Sequence, residues 1–242
     1  SYDGDRDEMK GGRGDAGALA QLKALLVRYR QQAAGFIGSL LPRYAPALRM
    51  GRTSLRTARI EGREMSWRKD DTRLHVDAFP SRPTLGERIL RVFTNLSPSG
   101  EARVWRIGER FEELVRRQAP RFSEPAPGSA FMLKALGITK SRRSEYDHYM
   151  LQLHDTMKAD LDFQRDSPQL TFAFPAGSSW VCFPDQTPHA AMSGQFMCEQ
   201  TLYLPVSALH DPESAPLKVL ERFFDRSLVT GGMASDKMRQ AA

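Results

Sequence analysis

His75 and Asp77 flank Val76 inside a run of β-formers, TRLHVDAF. Side chains two apart on a strand share a face, so imidazole and carboxylate can converge while Val76 points away. His189 is placed to join them. It follows a glycine–serine turn, the strand-like SSWVCF and a short Pro-Asp-Gln-Thr-Pro connection that delivers it to a further strand. Two imidazoles and one carboxylate on one face of an octahedron leave three positions open. A chelating 2-oxo acid needs two of them and dioxygen one, so a fourth protein ligand would close the site to both. This ligand set suits iron(II). The plainer alternative is a surface His-x-Asp and a hydrogen-bonded turn histidine. A lone His-x-Asp is weak evidence. With a distal histidine behind a glycine–serine strand, it reads as a metal site.

Those three residues need a β scaffold, and the chain supplies its elements in two runs. Strand signals fall at residues 72–79, 88–95 and 102–107, then again at 169–174, 179–183, 189–192 and 196–204, with proline and glycine between most of them. Helical periodicity fits residues 16–30, with a short second helix at 36–41, and residues 110–118, 129–136 and 144–161. In the last of these Tyr146, Met150, Leu153, Met157 and Leu161 make a stripe. An amphipathic helix fits 216–228. The expected architecture is mainly β with flanking helices. One domain spans residues 16–242, with a helical insert at about 108–162 and a C-terminal helix, behind a charged, glycine-containing segment, 1–15, expected to be disordered.

The 242 residues are 40% hydrophobic and 26% charged, which excludes collagen-like, low-complexity and wholly disordered chains. No apolar stretch reaches the roughly 20 residues of a membrane-spanning helix. The first residues lack the order of a secretory signal, although the chain opens at Ser1 without a methionine, which leaves room for upstream sequence. Two cysteines, Cys182 and Cys198, make neither a disulfide framework nor a zinc cage, and a reduced cytoplasmic setting fits them. Net charge is +6, and residues 52–106 hold twelve Lys/Arg against seven Asp/Glu. That surplus suits an anionic partner. Nucleic acid is not expected, because no helix-turn-helix, zinc-finger or RNP signature accompanies the charge.

The layout resembles the double-stranded β-helix (jelly roll, cupin-like) of iron(II)/2-oxoglutarate dioxygenases. In detail, RTARIEGREMSW, TRLHVDAFPSRPT, ERILRVFTNLSP and SSWVCFPDQTPHAAMSGQF resemble the bacterial Kdo hydroxylases, over roughly residues 56–204. The resemblance implies Fe(II), 2-oxoglutarate, dioxygen and ascorbate as cofactors and cosubstrates. It also implies a Kdo-containing lipid A precursor as substrate, hydroxylated at C3 of 3-deoxy-D-manno-oct-2-ulosonic acid. A cytoplasmic enzyme with peripheral contact at the inner membrane follows from that substrate, the last helix docking either on a membrane or on the barrel. His75, Asp77 and His189 are the catalytic metal ligands of this reading. Asp77 argues against the related halogenases, which lack the carboxylate. Competing readings are a hydroxylase of another substrate and a metal-binding cupin without oxygenase activity.

Many dioxygenases of the superfamily clamp the far 2-oxoglutarate carboxylate with Arg or Lys about ten residues past the distal histidine. Residues 190–201 contain neither. A variant of the superfamily takes the charge from the strand after His-x-Asp, where Arg88 and Arg91 lie. Three apart, they face opposite ways, and the variant spacing favours Arg91, with Asn95 on its face. For the sugar, Arg56 is the first choice to meet the carboxylate, ahead of Arg59 and Arg63, and His154 is a second contact. Trp105 and Trp180 suit either a sugar pocket or the core.

Overall fold

The computed structural model describes residues 1–229. A small hairpin, β1 (Tyr2–Asp3) and β2 (Glu8–Met9), precedes a long helix, α1 (Ala16–Leu40). Three strands follow: β3 (Arg49–Arg56), β4 (Arg88–Asn95) and β5 (Arg103–Gly108). A helical run, α2 (Phe111–Gln118), α3 (Ser129–Ala135), α4 (Glu145–Ala159) and α5 (Leu161–Asp166), separates them from the second strand group. That group is β6 (Gln169–Phe174), β7 (Ser179–Cys182), β8 (His189–Ser193) and β9 (Met197–Leu204), with α6 (Pro216–Phe224) after it.

The strands form two antiparallel sheets, in the orders β2-β1-β3-β9-β4-β7 and β6-β5-β8. β4 lies inside the larger one, between β9 and β7, and is almost wholly buried, because both its faces are covered. Leu90 and Val92 pack with Leu202 beneath Ala33 and Ile37 of α1. On the other face Phe93 meets Trp105, Ala191 and Trp180, so side chains of the two sheets interdigitate. Each such large apolar side chain contributes about 1.5–3 kcal/mol on burial. A second cluster joins Leu74 and Val76 to α2, α4 and α6. It packs the apolar side of the segment that carries the His-x-Asp pair.

Several elements differ from the sequence expectation. Residues 1–15 are not simply loose. Tyr2 pairs with Thr53 of β3 and is buried beside Leu26 and Cys198, while Lys23–Asp7 and Arg30–Asp5 ion pairs tie the charged run down. One helix spans residues 16–40 where two were expected. Gly35 and Gly38 each cost about 1 kcal/mol there, and the burial of Ala33 and Ile37 on the sheet offsets that. Ser144 starts α4 with a capping box to Asp147, and four of the five stripe residues are buried. Leu161 is 62% exposed, because Asp160 ends α4 and caps α5 by accepting from the Phe163 amide. α6 stops at Phe224, where Asp225 turns left-handed at φ 51°. It docks on the protein: Val219 and Leu220 are buried, and Phe224 stacks on Tyr149 at 4.2 Å. Among the described residues no helix is long and apolar enough to cross a membrane.

Candidate active site

The TRLHVDAF segment does not form a regular strand. It touches β8 through one antiparallel bridge, His75 to His189, and the Asp77 amide donates to the Pro184 carbonyl at 2.8 Å. That is enough to set the alternation. Val76 points into the hydrophobic cluster, and His75 and Asp77 turn the other way. The Nε2 atoms of His75 and His189 each lie 3.9 Å from Oδ1 of Asp77. One ligand atom from each of the three residues falls within 4.8 Å of the others. Such spacing accommodates one cation between them.

The tautomers follow from the hydrogen bonds. Nδ1 of His75 lies 2.8 Å from the Arg73 carbonyl, and Nδ1 of His189 lies 2.9 Å from the Thr187 carbonyl. A carbonyl only accepts, so each Nδ1 carries the proton and each Nε2 offers its lone pair. Burial pushes His75 well below the ordinary imidazole value and lowers His189 too, which keeps both neutral and competent as ligands. Burial alone would raise the Asp77 carboxyl. The positive charge of Arg91, with Arg56 further off, outweighs it and holds Asp77 ionised below its usual range. Arg91 Nη1 stands 3.1 Å from Asp77 Oδ2 without aligning as a hydrogen bond, and that oxygen is buried with no other partner.

Around the triad lies a cavity of about 60 Å³ lined by Arg56, Arg91 and Arg103, the acids Asp71, Asp77 and Glu199, and an aromatic wall of Phe93 and Trp105. Glu199 is buried and accepts a bidentate fork from Arg56 at 3.0 and 3.1 Å, with Arg91 at 3.8 Å. Burial opposes its ionisation, but Arg56 and Arg91 outweigh burial and keep it below the ordinary glutamate value. Arg103 differs from the other two. Among the described residues no carboxylate pairs with it, its Nη1 donates to the Gly194 carbonyl at 3.3 Å, and burial presses its guanidinium down to about 10. Buried donors without partners also line the cavity: Nε of Arg91, Nε of Arg103 and the indole N–H of Trp105. Unpaired buried donors cost about 1–3 kcal/mol each. Three such donors on residues lining one small space suit it to an anion. Beside a vacant acceptor on Asp77, the cavity fits a divalent cation together with a chelating, anionic ligand. Trp105 also stacks on His189, ring centroids 5.1 Å apart and 23° between planes, which fixes that imidazole.

The family model for 3-deoxy-D-manno-oct-2-ulosonic acid (Kdo) hydroxylase matches residues 1–227. The chain belongs to the Kdo hydroxylase family. Solved structures of the Kdo hydroxylase KdoO, a non-heme Fe(II) alphaketoglutarate dependent dioxygenase, are similar throughout. The complex with alphaketoglutarate and Fe(III) is 53% identical, with a TM-score of 0.93, covering 94% of this chain and 78% of that one. The complex with succinate and Fe(III) is 52% identical, also at a TM-score of 0.93, covering 95% and 78%. The complex with cobalt(II) gives 52%, 0.93, and 95% and 77% coverage. No curated protein sequence matches.

In this Kdo hydroxylase family member the sequence-based candidates divide. His75, Asp77, His189, Arg91 and Arg56 meet at one cavity. Arg88 faces the other way, into a buried fork with Asp185 at 2.7 and 3.2 Å. Asn95 shares the Arg91 face but does not line the cavity. Its amide donates to the Glu101 and Phe174 carbonyls and its oxygen caps Ser97. His154 does not line the cavity either: it stands edge-on to His75 at 5.4 Å, with Nδ1 3.0 Å from Asp155. Trp180 packs in the core against Phe174 at 3.9 Å, and Cys182 joins the same cluster. Glu199 and Arg103 went unnoticed in the sequence. Arg103 could have been found, since Arg103 and Trp105 are two apart on one strand and share a face. Glu199 had no such signal.

Proposed function

We propose that this chain is an iron(II)- and 2-oxoglutarate-dependent dioxygenase that hydroxylates Kdo, at C3 of the sugar and in lipid-linked form. The two faced sheets with the triad between them are read as a double-stranded β-helix core. The observation that carries the proposal is the pair of imidazole Nε2 atoms, each 3.9 Å from one Asp77 oxygen with Nδ1 held by a backbone carbonyl.

Fe(II), when bound with 2-oxoglutarate and dioxygen, would supply the oxidising power for C–H hydroxylation, with succinate and carbon dioxide as coproducts and ascorbate as reductant. The protein's own part is positional. His75, Asp77 and His189 would hold the metal. Arg103 and Arg91 take the far carboxylate of 2-oxoglutarate, with the Trp105 N–H as a further donor, because these are the buried donors without partners at the cavity. Glu199 offsets Arg56 and Arg91, so the site is not an unscreened cluster of three guanidinium groups. Arg56 spends Nε and Nη2 on Glu199. Its Nη1 remains, 3.8 Å from Asp71, to meet the sugar carboxylate. The aromatic wall keeps water from the reacting positions. A cytoplasmic enzyme is consistent with reduced cysteines and this substrate.

A cupin that only stores metal would have no use for three orphaned donors beside its ligands. The test is a turnover screen. Consumption of 2-oxoglutarate should rise on adding Kdo-bearing lipid and stay at the uncoupled level with small organic acids. Stimulation by another class of substrate, and not by Kdo, would reassign the activity.

A further inference from the structure

On the protein surface, α3 and the turn after it display large apolar side chains to solvent: Phe131 is 64% exposed, Met132 61%, Leu136 69% and Ile138 53%. They are held in order. Gly137 takes a left-handed φ of 69°, and the Leu133 carbonyl accepts the Ile138 and Thr139 amides at 3.0 and 3.2 Å, a helix-ending turn that fixes Ile138 outward. A cluster of apolar groups held in water costs free energy that a partner recovers.

Cations surround this cluster. Lys134 on α3, Lys140 and Arg142 after it, and Arg82 line a cleft of about 530 Å³ with Arg49 and Arg52. The acids of the cleft are already spoken for: Arg52 lies 3.5 Å from Asp3, Arg49 is 2.7 Å from Glu87, and Asp5 meets Arg30 at 3.3 Å. Among the described residues Arg82, Lys134, Lys140 and Arg142 have no carboxylate partner. Their crowding shows on Lys140, whose ammonium is pressed below its ordinary value chiefly by Arg82. The Lys140 amide donates to the Ser81 carbonyl at 3.0 Å, which ties the α3 turn to the Arg82 loop.

We infer that α3, its turn and the Arg82–Arg142 cleft form a docking surface for an anionic lipid bilayer. The apolar side chains enter the headgroup boundary and the unpaired cations meet lipid phosphates. Charge selects this occupant. A second copy of the chain would set the same four unpaired cations against each other. The chain's own residues 230–242 carry one Asp against Lys237 and Arg239, so their side chains bring no net negative charge to a cationic cleft. The surface reaches the sheet that carries Arg91: Tyr203 lines the cleft and pairs with Ile89 of β4, two residues before Arg91. It is separate from the expected membrane role of the last helix, whose Val219 and Leu220 are buried against the protein.

The test is co-sedimentation of the full chain with phosphatidylcholine vesicles, with and without phosphatidylglycerol, without iron, 2-oxoglutarate or sugar. Vesicle binding therefore stands or falls independently of the hydroxylase reading. The wild type should bind the anionic vesicles, and binding should weaken as salt rises. Lys134→Glu/Lys140→Glu/Arg142→Glu should lower partitioning roughly a hundredfold, and Phe131→Ser/Met132→Ser/Leu136→Ser by at least about tenfold. Uncoupled 2-oxoglutarate turnover should be unchanged in both variants, which shows that they are folded. No binding by the wild type, equal binding by the variants, or equal binding to uncharged vesicles would overturn the inference. So would self-association of the wild type in solution that the same substitutions abolish, since the face would then belong to a second copy.

Discussion

His75 and His189 exchange both of their main-chain hydrogen bonds, each amide reaching the other's carbonyl, at 3.0 and 2.9 Å. Far apart in sequence, they are a hydrogen-bonded antiparallel pair, and residues so paired project their side chains to one face. The backbone thus places the two imidazoles before any metal arrives. Asp77 follows on the same face by alternation.

Because that pair is made by main chain, removing an imidazole should spare the fold. His75→Ala, Asp77→Ala and His189→Ala should each lose hydroxylation and stoichiometric Fe(II), the two histidine variants unfolding close to the wild-type midpoint and Asp77→Ala below it because Arg91 loses its buried carboxylate. Metal content after gel filtration and a thermal melt measure the two halves. A variant that retains one iron per chain and full turnover removes that residue from the ligand set.

The arginines separate by where their charge is spent. Arg103→Ala and Arg91→Ala should raise the Michaelis constant for 2-oxoglutarate by tens- to thousands-fold, as losing one partner of a desolvated charge pair costs about 2–5 kcal/mol. Arg88→Ala should leave that constant nearly alone and cost about 3–5 kcal/mol of stability, because Asp185 is left buried without its fork. Steady-state kinetics and urea melts on the three variants decide it. A large kinetic effect at Arg88 with none at Arg103 would invert the assignment.

The parity of Arg88 and Arg91 was legible because period-two alternation holds along β4, which pairs regularly with β9 from Arg88 to Asn95. The triad was legible for the same reason, although only a single bridge carries it. What escaped the sequence depends on long-range pairing. Glu199 reaches the cavity because β9 lies between β3 and β4, which brings it opposite Ser54 and Phe93. No local pattern announces a strand order. The Asn95 expectation had the right face and the wrong use, since loop carbonyls at Glu101 and Phe174 capture its amide. His154 was placed on the apolar stripe of its helix, and the packing of that helix sets it against His75 instead of the cavity.

Glu199 links the site to pH. Its folded value lies below the ordinary 4.5, so its stabilisation is complete above pH 4.5 and fades as pH falls through the lower folded value. Glu199→Gln should cost about 3–5 kcal/mol at pH 7, with Arg56 and Arg91 left uncompensated. The gap to wild type should close in acid. Chemical denaturation of both proteins across pH 3–7 reads the difference, and a gap that widens in acid would contradict this ion pairing.

Trp105 serves by stacking and by its N–H, and the two can be told apart. Trp105→Phe should keep the ring against His189, retain stability to within about 1.5 kcal/mol, and raise the 2-oxoglutarate Michaelis constant roughly ten- to a hundredfold through loss of one hydrogen bond to a charged carboxylate, worth about 1.5–3 kcal/mol. Trp105→Ala should also lose about 3–5 kcal/mol of stability. An unchanged Michaelis constant in Trp105→Phe would remove the indole from cosubstrate binding.

The central claim is that His75, Asp77 and His189 support oxygen insertion into Kdo. Its most direct test is mass spectrometry of Kdo-bearing lipid after aerobic incubation with the protein, Fe(II), 2-oxoglutarate and ascorbate. One added oxygen on the Kdo portion is expected with the wild type and none with Asp77→Ala. Unmodified Kdo in the presence of active, 2-oxoglutarate-consuming wild-type protein, or the same product from Asp77→Ala, would contradict it.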